Sequence, residues 1–193
     1  MNQSLTTVDW SKIPPPEDDG GAAHLPGMAI TDVALPSTDG GAVVLSALPG
    51  RTVLYAYPRT GQPGRIGIVD GWDEIPGARG CTPQSCAFRD HHRDLTEAGA
   101  DQIFGLATQD TAYQREAVDR LHLPFPLLSD ASLAFTRALR LPTMTVAGHV
   151  LLKRLALVVD GGRITKVFYP VFPPDRNAGD VLDWVRANPR AKS

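Results

Sequence analysis

Gly80-Cys81-Thr82-Pro83-Gln84-Ser85-Cys86-Ala87-Phe88-Arg89-Asp90 decides how this chain is read. It holds both cysteines of the protein, five positions apart. Pro83 has a φ preset for the first turn of a helix, and the Thr82 hydroxyl can cap the free amides there. Phe88, Leu95 and Ala98 follow at helical spacing. The stretch predicts a helix with Cys81 just ahead of its N-terminus and Cys86 inside its first turns. Unpaired amides and the positive end of the helix dipole stabilise negative charge at such a place. A thiol held there ionises readily and is a nucleophile at neutral pH. A thiolate that attacks a peroxide oxygen becomes a sulfenic acid, and a second thiol condenses with that to a disulfide. One reactive cysteine with another close behind is the layout this cycle needs.

On the N-terminal side, Thr52 to Tyr57 is a dense β-favouring run with little alternation, as in a strand buried on both faces. Pro58 ends its ladder. Arg59 to Gly80 is a long connection rich in Gly and Pro, with Ile68, Trp72 and Ile75 to pack it. Loops of that length are uncommon and often functional; this one is expected to line or shield Cys81. Met28 to Leu35 and Ala42 to Leu45 read as short strands around the Asp39-Gly40 turn signal. Residues 1–27, with Pro14-Pro15-Pro16 and Glu17-Asp18-Asp19, read as an extended arm, either a loose leader or draped over the domain with Trp10 as its anchor.

On the C-terminal side, Gln102 to Ala107 is a buried strand candidate, and Gln109-Asp110-Thr111 begins an amphipathic helix with Tyr113, Ala117, Val118 and Leu121 on one stripe. Phe125 to Asp130 is a short extended segment. Ala131 to Leu139 follows as a helix capped by Asp130. Leu155 to Val159 and Arg163 to Tyr169 flank Asp160-Gly161-Gly162 as a hairpin, and Asn177 to Ala187 closes the chain as a helix. Strands that first alternate with helices and then end in a hairpin indicate an α/β fold with a mixed sheet flanked by helices. Residues 28–193 are expected to form a single domain.

Composition narrows the function. The 193 residues are 42% hydrophobic and 21% charged, with a net charge of −2. That balance gives no reason to expect nucleic acid or an anionic membrane as partner. No apolar run approaches the roughly 20 residues of a membrane span, and no secretory signal is visible. Two cysteines are too few for a disulfide scaffold, so a reducing, cytoplasmic setting with working thiols is expected.

Gly80-Cys81-Thr82 and Cys86-Ala87-Phe88-Arg89-Asp90 together resemble the active-site segment of peroxiredoxins, most of all the Q type, whose resolving cysteine lies five residues after the peroxidatic one. The resemblance extends to Phe125-Pro126-Leu127-Leu128-Ser129-Asp130. It also covers Arg154-Leu155-Ala156-Leu157-Val158-Val159-Asp160, where Arg154 falls on the family's active-site arginine. It implies a thioredoxin-like fold with an N-terminal extension and hairpin. It further implies Cys81 as peroxidatic residue, Cys86 as resolving residue, an intramolecular 81–86 disulfide, and a thioredoxin or glutaredoxin-like reductant. Neither cofactor nor metal is required. The chain departs from the family's Pro-x-x-x-Thr-x-x-Cys pattern: Ala78 stands three before Cys81 and Glu74 seven before. The missing threonine's role falls to Thr60 or Thr82, and the proline's to Pro58 or Pro76.

Two further expectations follow. Five residues along a helix rise about 7.5 Å, whereas a disulfide needs Cα atoms within roughly 7 Å. The first turn must therefore open for the two sulfurs to bond. His91 and His92 are neighbours on a helix and point apart; they are read as a solvated pair, Lys153 as a solvated neighbour of Arg154, and His149 as a loop residue. The alternatives to a peroxidase are a redox-sensing or binding protein of the same fold and a disulfide oxidoreductase. The last lacks the Cys-x-x-Cys spacing it would use.

Overall fold

A six-residue strand whose every residue is buried runs through the middle of the molecule: β3, Arg51–Ala56. The computed structural model describes residues 8–64 and 67–190; the first seven residues of the arm, and Arg65 and Ile66 of the long connection, lie outside them. The small strands β1 (Ala34–Pro36) and β2 (Ala42–Val44) precede β3 and pair with each other antiparallel. After it come helices α1 (Cys81–Asp90) and α2 (His92–Glu97), strand β4 (Gln102–Ala107), helix α3 (Thr111–Leu121), strand β5 (Leu127–Ser129) and helix α4 (Ala134–Leu139). The chain ends with β6 (Thr143–Val146), β7 (His149–Leu152), β8 (Leu155–Asp160), β9 (Arg163–Phe168) and helix α5 (Asn177–Ala187).

The main sheet has the order β5-β4-β3-β8-β9. β3, β4 and β5 are parallel, and β8 and β9 run antiparallel to their neighbours. This is the mixed sheet that the sequence predicts. Side chains alternate across it with period two, which sorts each strand between two cores. Val53, Tyr55, Ile103, Ala156 and Val158 pack under α1, α2, α3 and α5. Leu54, Ala56, Leu106, Leu155 and Leu157 pack on the opposite face with α4 and with Ala22 and Leu25 of the arm.

Helix α1 is seated by one aromatic contact. The ring of Tyr55 stacks on Phe88 at 4.3 Å between centroids, and its hydroxyl donates to Ser85 Oγ at 3.0 Å. Complete burial of a side chain such as Phe88 stabilises a fold by about 2–3 kcal/mol. Burial also pushes the Tyr55 phenol far above its ordinary range, so it stays a neutral donor. Room for the Tyr55 ring comes from Gly105 on β4, where an added Cβ would lie 2.7 Å from that ring and 2.5 Å from Leu127.

Several local expectations shift. Residues 28–35 do not form one strand: hydrogen bonds tie Gly27, Met28 and Ile30 to the 162–164 turn, and only Ala34–Pro36 pairs with β2. α4 starts at Ala134, because Leu133 takes a left-handed conformation. Asp130 still serves it, accepting from the amides of Phe135 and Thr136. The hairpin of β6 and β7 was not foreseen; its turn is the pair Ala147-Gly148, both with positive φ. His149 opens β7 rather than lying in a loop.

Gly105→Ala is expected to destabilise the fold by about 1–3 kcal/mol, the usual cost of forcing an extra carbon into a filled core. Chemical unfolding monitored by circular dichroism reads the change, and an unchanged midpoint would contradict the packing described.

Candidate active site

Helix α1 begins at Cys81 itself, with Gly80 as its cap in a left-handed conformation at φ 107. Thr82 therefore lies inside the first turn, and it supplies no side-chain cap. Gly80 has no room for a side chain: an added Cβ would stand 2.5 Å from Pro174 and 2.9 Å from the Trp10 indole. Pro83 has no N–H, so the first turn presents the amides of Cys81 and Thr82, which have no acceptor within the helix. Cys81 is 4% exposed.

Arg154, in the corner between β7 and β8, reaches this helix end and is 2% exposed. Its Nη2 lies 3.4 Å from Cys81 Sγ and donates to the carbonyls of Arg79 at 3.0 Å, Ala78 at 3.2 Å and Gly77 at 3.3 Å. Its Nη1 donates to Gln84 Oε1 at 2.5 Å. Gln84 is wholly buried, and its own amide donates to Asn177 Oδ1 at the start of α5, at 2.9 Å. The Cys81 thiol is 3.6 Å from the Ala78 carbonyl. Cys81 and Arg154, 73 residues apart, thus share one buried cluster that α1, the 77–79 segment and α5 hold in place. Gln84 and Asn177 were missed in the sequence. Gln84 lies one helical turn after Cys81 and so on the same face, which was a usable signal; Asn177 carried none.

The other expected residues are placed as follows. Cys86 is half-buried and both cysteines are free. Burial pushes the Cys86 thiol up; Arg89 and Arg120 oppose that and Asp90 adds to it. Thr60 is buried, and its amide and hydroxyl both donate to Gln109 Oε1. Pro58 is buried just past β3. Thr82 is half-buried and lines a cleft together with Cys81. Pro76 lines a separate cavity of about 420 Å³ that Arg154 also touches. His91 and His92 are not solvated as expected: one ring hydrogen-bonds the Ala87 carbonyl and the other stacks on Phe125 at 5.9 Å. Among the described residues no group of three His, Cys, Asp or Glu is clustered for a metal.

The cleft at Cys81 has a volume of about 880 Å³. The long connection supplies Arg59, Gly61, Trp72, Asp73, Glu74 and Arg79 to its wall. The arm supplies more, including Val8, Ile13 and Pro14. Trp10 pins that part of the arm. Its indole N–H donates to Asp175 Oδ2 at 2.8 Å, and its ring meets Phe172 edge-on at 6.0 Å. Asp19 pins the next part by accepting from Lys153 Nζ and from the Tyr169 hydroxyl, both at 2.6 Å. Lys153 is thus an ion-pair partner rather than a free neighbour of Arg154. The hydrogen bond from Lys153, then those from Tyr169 and the Gly21 amide, hold the Asp19 carboxyl far below the usual carboxylate range.

Comparison with known proteins bears on this arrangement. The Redoxin family model matches residues 25–182. Peroxiredoxin Q of rice (Oryza sativa subsp. japonica), a chloroplast protein, is 32% identical over 157 residues, which is 81% of this chain and 64% of that protein. Its wheat (Triticum aestivum) counterpart is 30% identical over 153 residues, 79% of this chain and 62% of the other. This chain therefore spans a little under two thirds of the length of these two relatives. The crystal structure of peroxidoxin BcpB from Mycobacterium tuberculosis superposes with a TM-score of 0.68 at 25% identity, covering 86% of this chain and 98% of that one. The structure of Xanthomonas campestris peroxiredoxin Q gives 0.65 at 22% identity, covering 82% and 92%, a likeness of fold.

The Asp19 contacts set a pH dependence for the arm. A carboxyl whose folded value is depressed stabilises the folded form above its unfolded value, about 3.9, and that stability is lost as pH falls toward the folded value. The gap in melting temperature between wild type and Asp19→Asn is expected to be full at pH 6 and to shrink steadily below about pH 4. A gap that persists unchanged at pH 2.5 would contradict it.

Proposed function

The chain belongs to the redoxin family, with Q-type peroxiredoxins as its relatives, and on that premise we propose that it is a thiol peroxidase. Its substrates are hydrogen peroxide or alkyl hydroperoxides, and Cys81 is the residue that attacks them. The observation that carries this reading is the Arg154 guanidinium 3.4 Å from Cys81 Sγ at the N-terminus of α1. In this reading residues 28–193 form one peroxiredoxin domain, and residues 1–27 form its arm.

The chemistry proceeds in three steps. The Cys81 thiolate attacks the distal oxygen of the hydroperoxide, the O–O bond breaks, and the departing alkoxide or hydroxide takes up a proton. Cys81 is left as a sulfenic acid. Arg154 is placed to stabilise the anionic sulfur and the charge that develops on oxygen, with the free amides of Cys81 and Thr82 assisting. Cys86 then attacks the sulfenic sulfur, water leaves, and the 81–86 disulfide forms. An external dithiol of thioredoxin or glutaredoxin type reduces it and is itself oxidised to a disulfide.

The second step needs movement. α1 is continuous from Cys81 to Asp90, and the five-residue step from Cys81 to Cys86 rises about 7.5 Å, too far for a disulfide. Opening the first turn is eased by Pro83, which has no amide hydrogen bond to break. Thr82, Pro58 and Thr60 are proposed to shape the peroxide site, with Thr82 on its wall. The working compartment we assign is a reducing one, the cytoplasm, in keeping with two free thiols. The rice and wheat relatives are chloroplast proteins by name, and no helix among the described residues is long and apolar enough to cross a membrane.

Burial raises the Cys86 thiol, and the thiolate is the attacking form in the resolving step. Stopped-flow fluorescence after mixing reduced protein with hydrogen peroxide is therefore expected to show two phases. The second, disulfide formation, accelerates as pH rises from 6 to 9. Cys86→Ser keeps the fast phase and loses the second, whereas Cys81→Ser loses both. Loss of the fast phase in Cys86→Ser alone would reverse the assignment.

A further inference from the structure

Hydrogen peroxide needs only a narrow channel, yet the cleft at Cys81 holds about 880 Å³. That is far more room than hydrogen peroxide fills, and it lies in the size range of clefts that take an organic ligand. The arm builds its apolar wall with Val8, Ile13 and Pro14, joined by Trp72 and Pro83. The described lining residues give the cleft no net sign. Among its described lining residues, Lys12, Arg59 and Arg79 are matched by Asp9, Asp73 and Glu74. Two of these pairs are already closed, Lys12 with Asp9 and Arg79 with Asp73. Arg59 lies over the Tyr113 ring at 4.7 Å. A wall of this kind offers contact to a neutral apolar group and little to an anion.

The wall is fixed at one point. Trp10 is bonded to Asp175, packed on Phe172, and set over Gly80, the residue before the reactive sulfur. The segment that faces the substrate and the segment that caps α1 are therefore held together by one indole ring.

We infer that residues 8–14, positioned by Trp10, form a specificity-determining wall that selects neutral organic hydroperoxides with an apolar aryl or branched alkyl body over hydrogen peroxide. The inference rests on the peroxidase reading and names the substrate class of that site. The thiolate removes the distal oxygen and the rest of the substrate departs as an alcohol after taking up a proton. Only that alcohol portion lies on Ile13, Pro14 and Trp72. Its burial is the same before and during bond breaking, so the gain falls on KM rather than on kcat. Trp10 and Ile13 act on where the substrate sits, not on the reacting atoms.

The test compares cumene hydroperoxide with hydrogen peroxide in steady-state assays on the full chain, for wild type, Trp10→Ala and Ile13→Ser. Wild type is expected to favour cumene hydroperoxide in kcat/KM. Each variant is expected to lower the cumene-to-hydrogen-peroxide ratio by about tenfold, mainly through KM, the range typical of one apolar contact in a pocket. A second reading needs no turnover: cumyl alcohol, the product, is expected to quench tryptophan fluorescence in reduced wild type and much less in Ile13→Ser. If hydrogen peroxide is reduced but the ratio is unmoved in both variants, or the alcohol binds neither wild type nor variant, the wall is overturned and the peroxidase stands. If wild type turns over neither peroxide, the reaction is overturned and the selectivity with it.

Discussion

A guanidinium buried among neutral acceptors is the constraint on which the site depends. Moving a full charge out of water costs several kcal/mol even after relaxation, and only close, well-directed partners offset it. Arg154 finds three backbone carbonyls, one side-chain amide oxygen and one sulfur. None of the oxygens is ionised. Cys81 is the one acidic group among these partners, and its sulfur lies 3.4 Å from the guanidinium. Among the described residues the Arg154 Nε has no hydrogen-bond partner. The same interaction that holds the corner between β7 and β8 against α1 therefore also sets a cation beside the sulfur.

The long connection before Cys81 fits this account. Its last residues turn the carbonyls of Gly77, Ala78 and Arg79 toward Arg154, and Ala78 is wholly buried there. A threonine hydroxyl at Ala78 is what the family pattern calls for. Ala78 has no hydroxyl, and its carbonyl accepts from both the guanidinium and the thiol. The earlier part of the connection forms the outer wall of the cleft. Gly80 joins the two functions, because its positive φ turns the chain into the helix and its missing side chain lets Trp10 and Pro174 close over the turn.

Much of this was legible in the chain. Thr52 to Tyr57, Gln102 to Ala107 and Asn177 to Ala187 were read almost to the residue, since dense burial and helical stripes depend on local pattern alone. Cys81 and Arg154 were found through a resemblance carried by short, specific motifs. The misses have physical causes. Gly80 took the capping position from Thr82 because the close packing of Trp10 and Pro174 against it is a tertiary fact. The β6–β7 hairpin hid because Ala147 adopts a positive φ that its residue type does not advertise. Asn177 supports Gln84 across 93 residues of chain, a pairing that no periodicity encodes. His92 looked solvated because a helix pattern does not show that Phe125 comes to lie against it.

The most direct test of the account is to trap the first oxidised sulfur. In Cys86→Ser protein treated with one equivalent of hydrogen peroxide and dimedone, mass spectrometry is expected to find the adduct on Cys81. The same trapping in Cys86→Ser combined with Arg154→Leu is expected to be slower by about ten- to a hundredfold, the worth of one charge-assisted hydrogen bond. Labelling of Cys81 at an unchanged rate without the guanidinium would contradict the central claim.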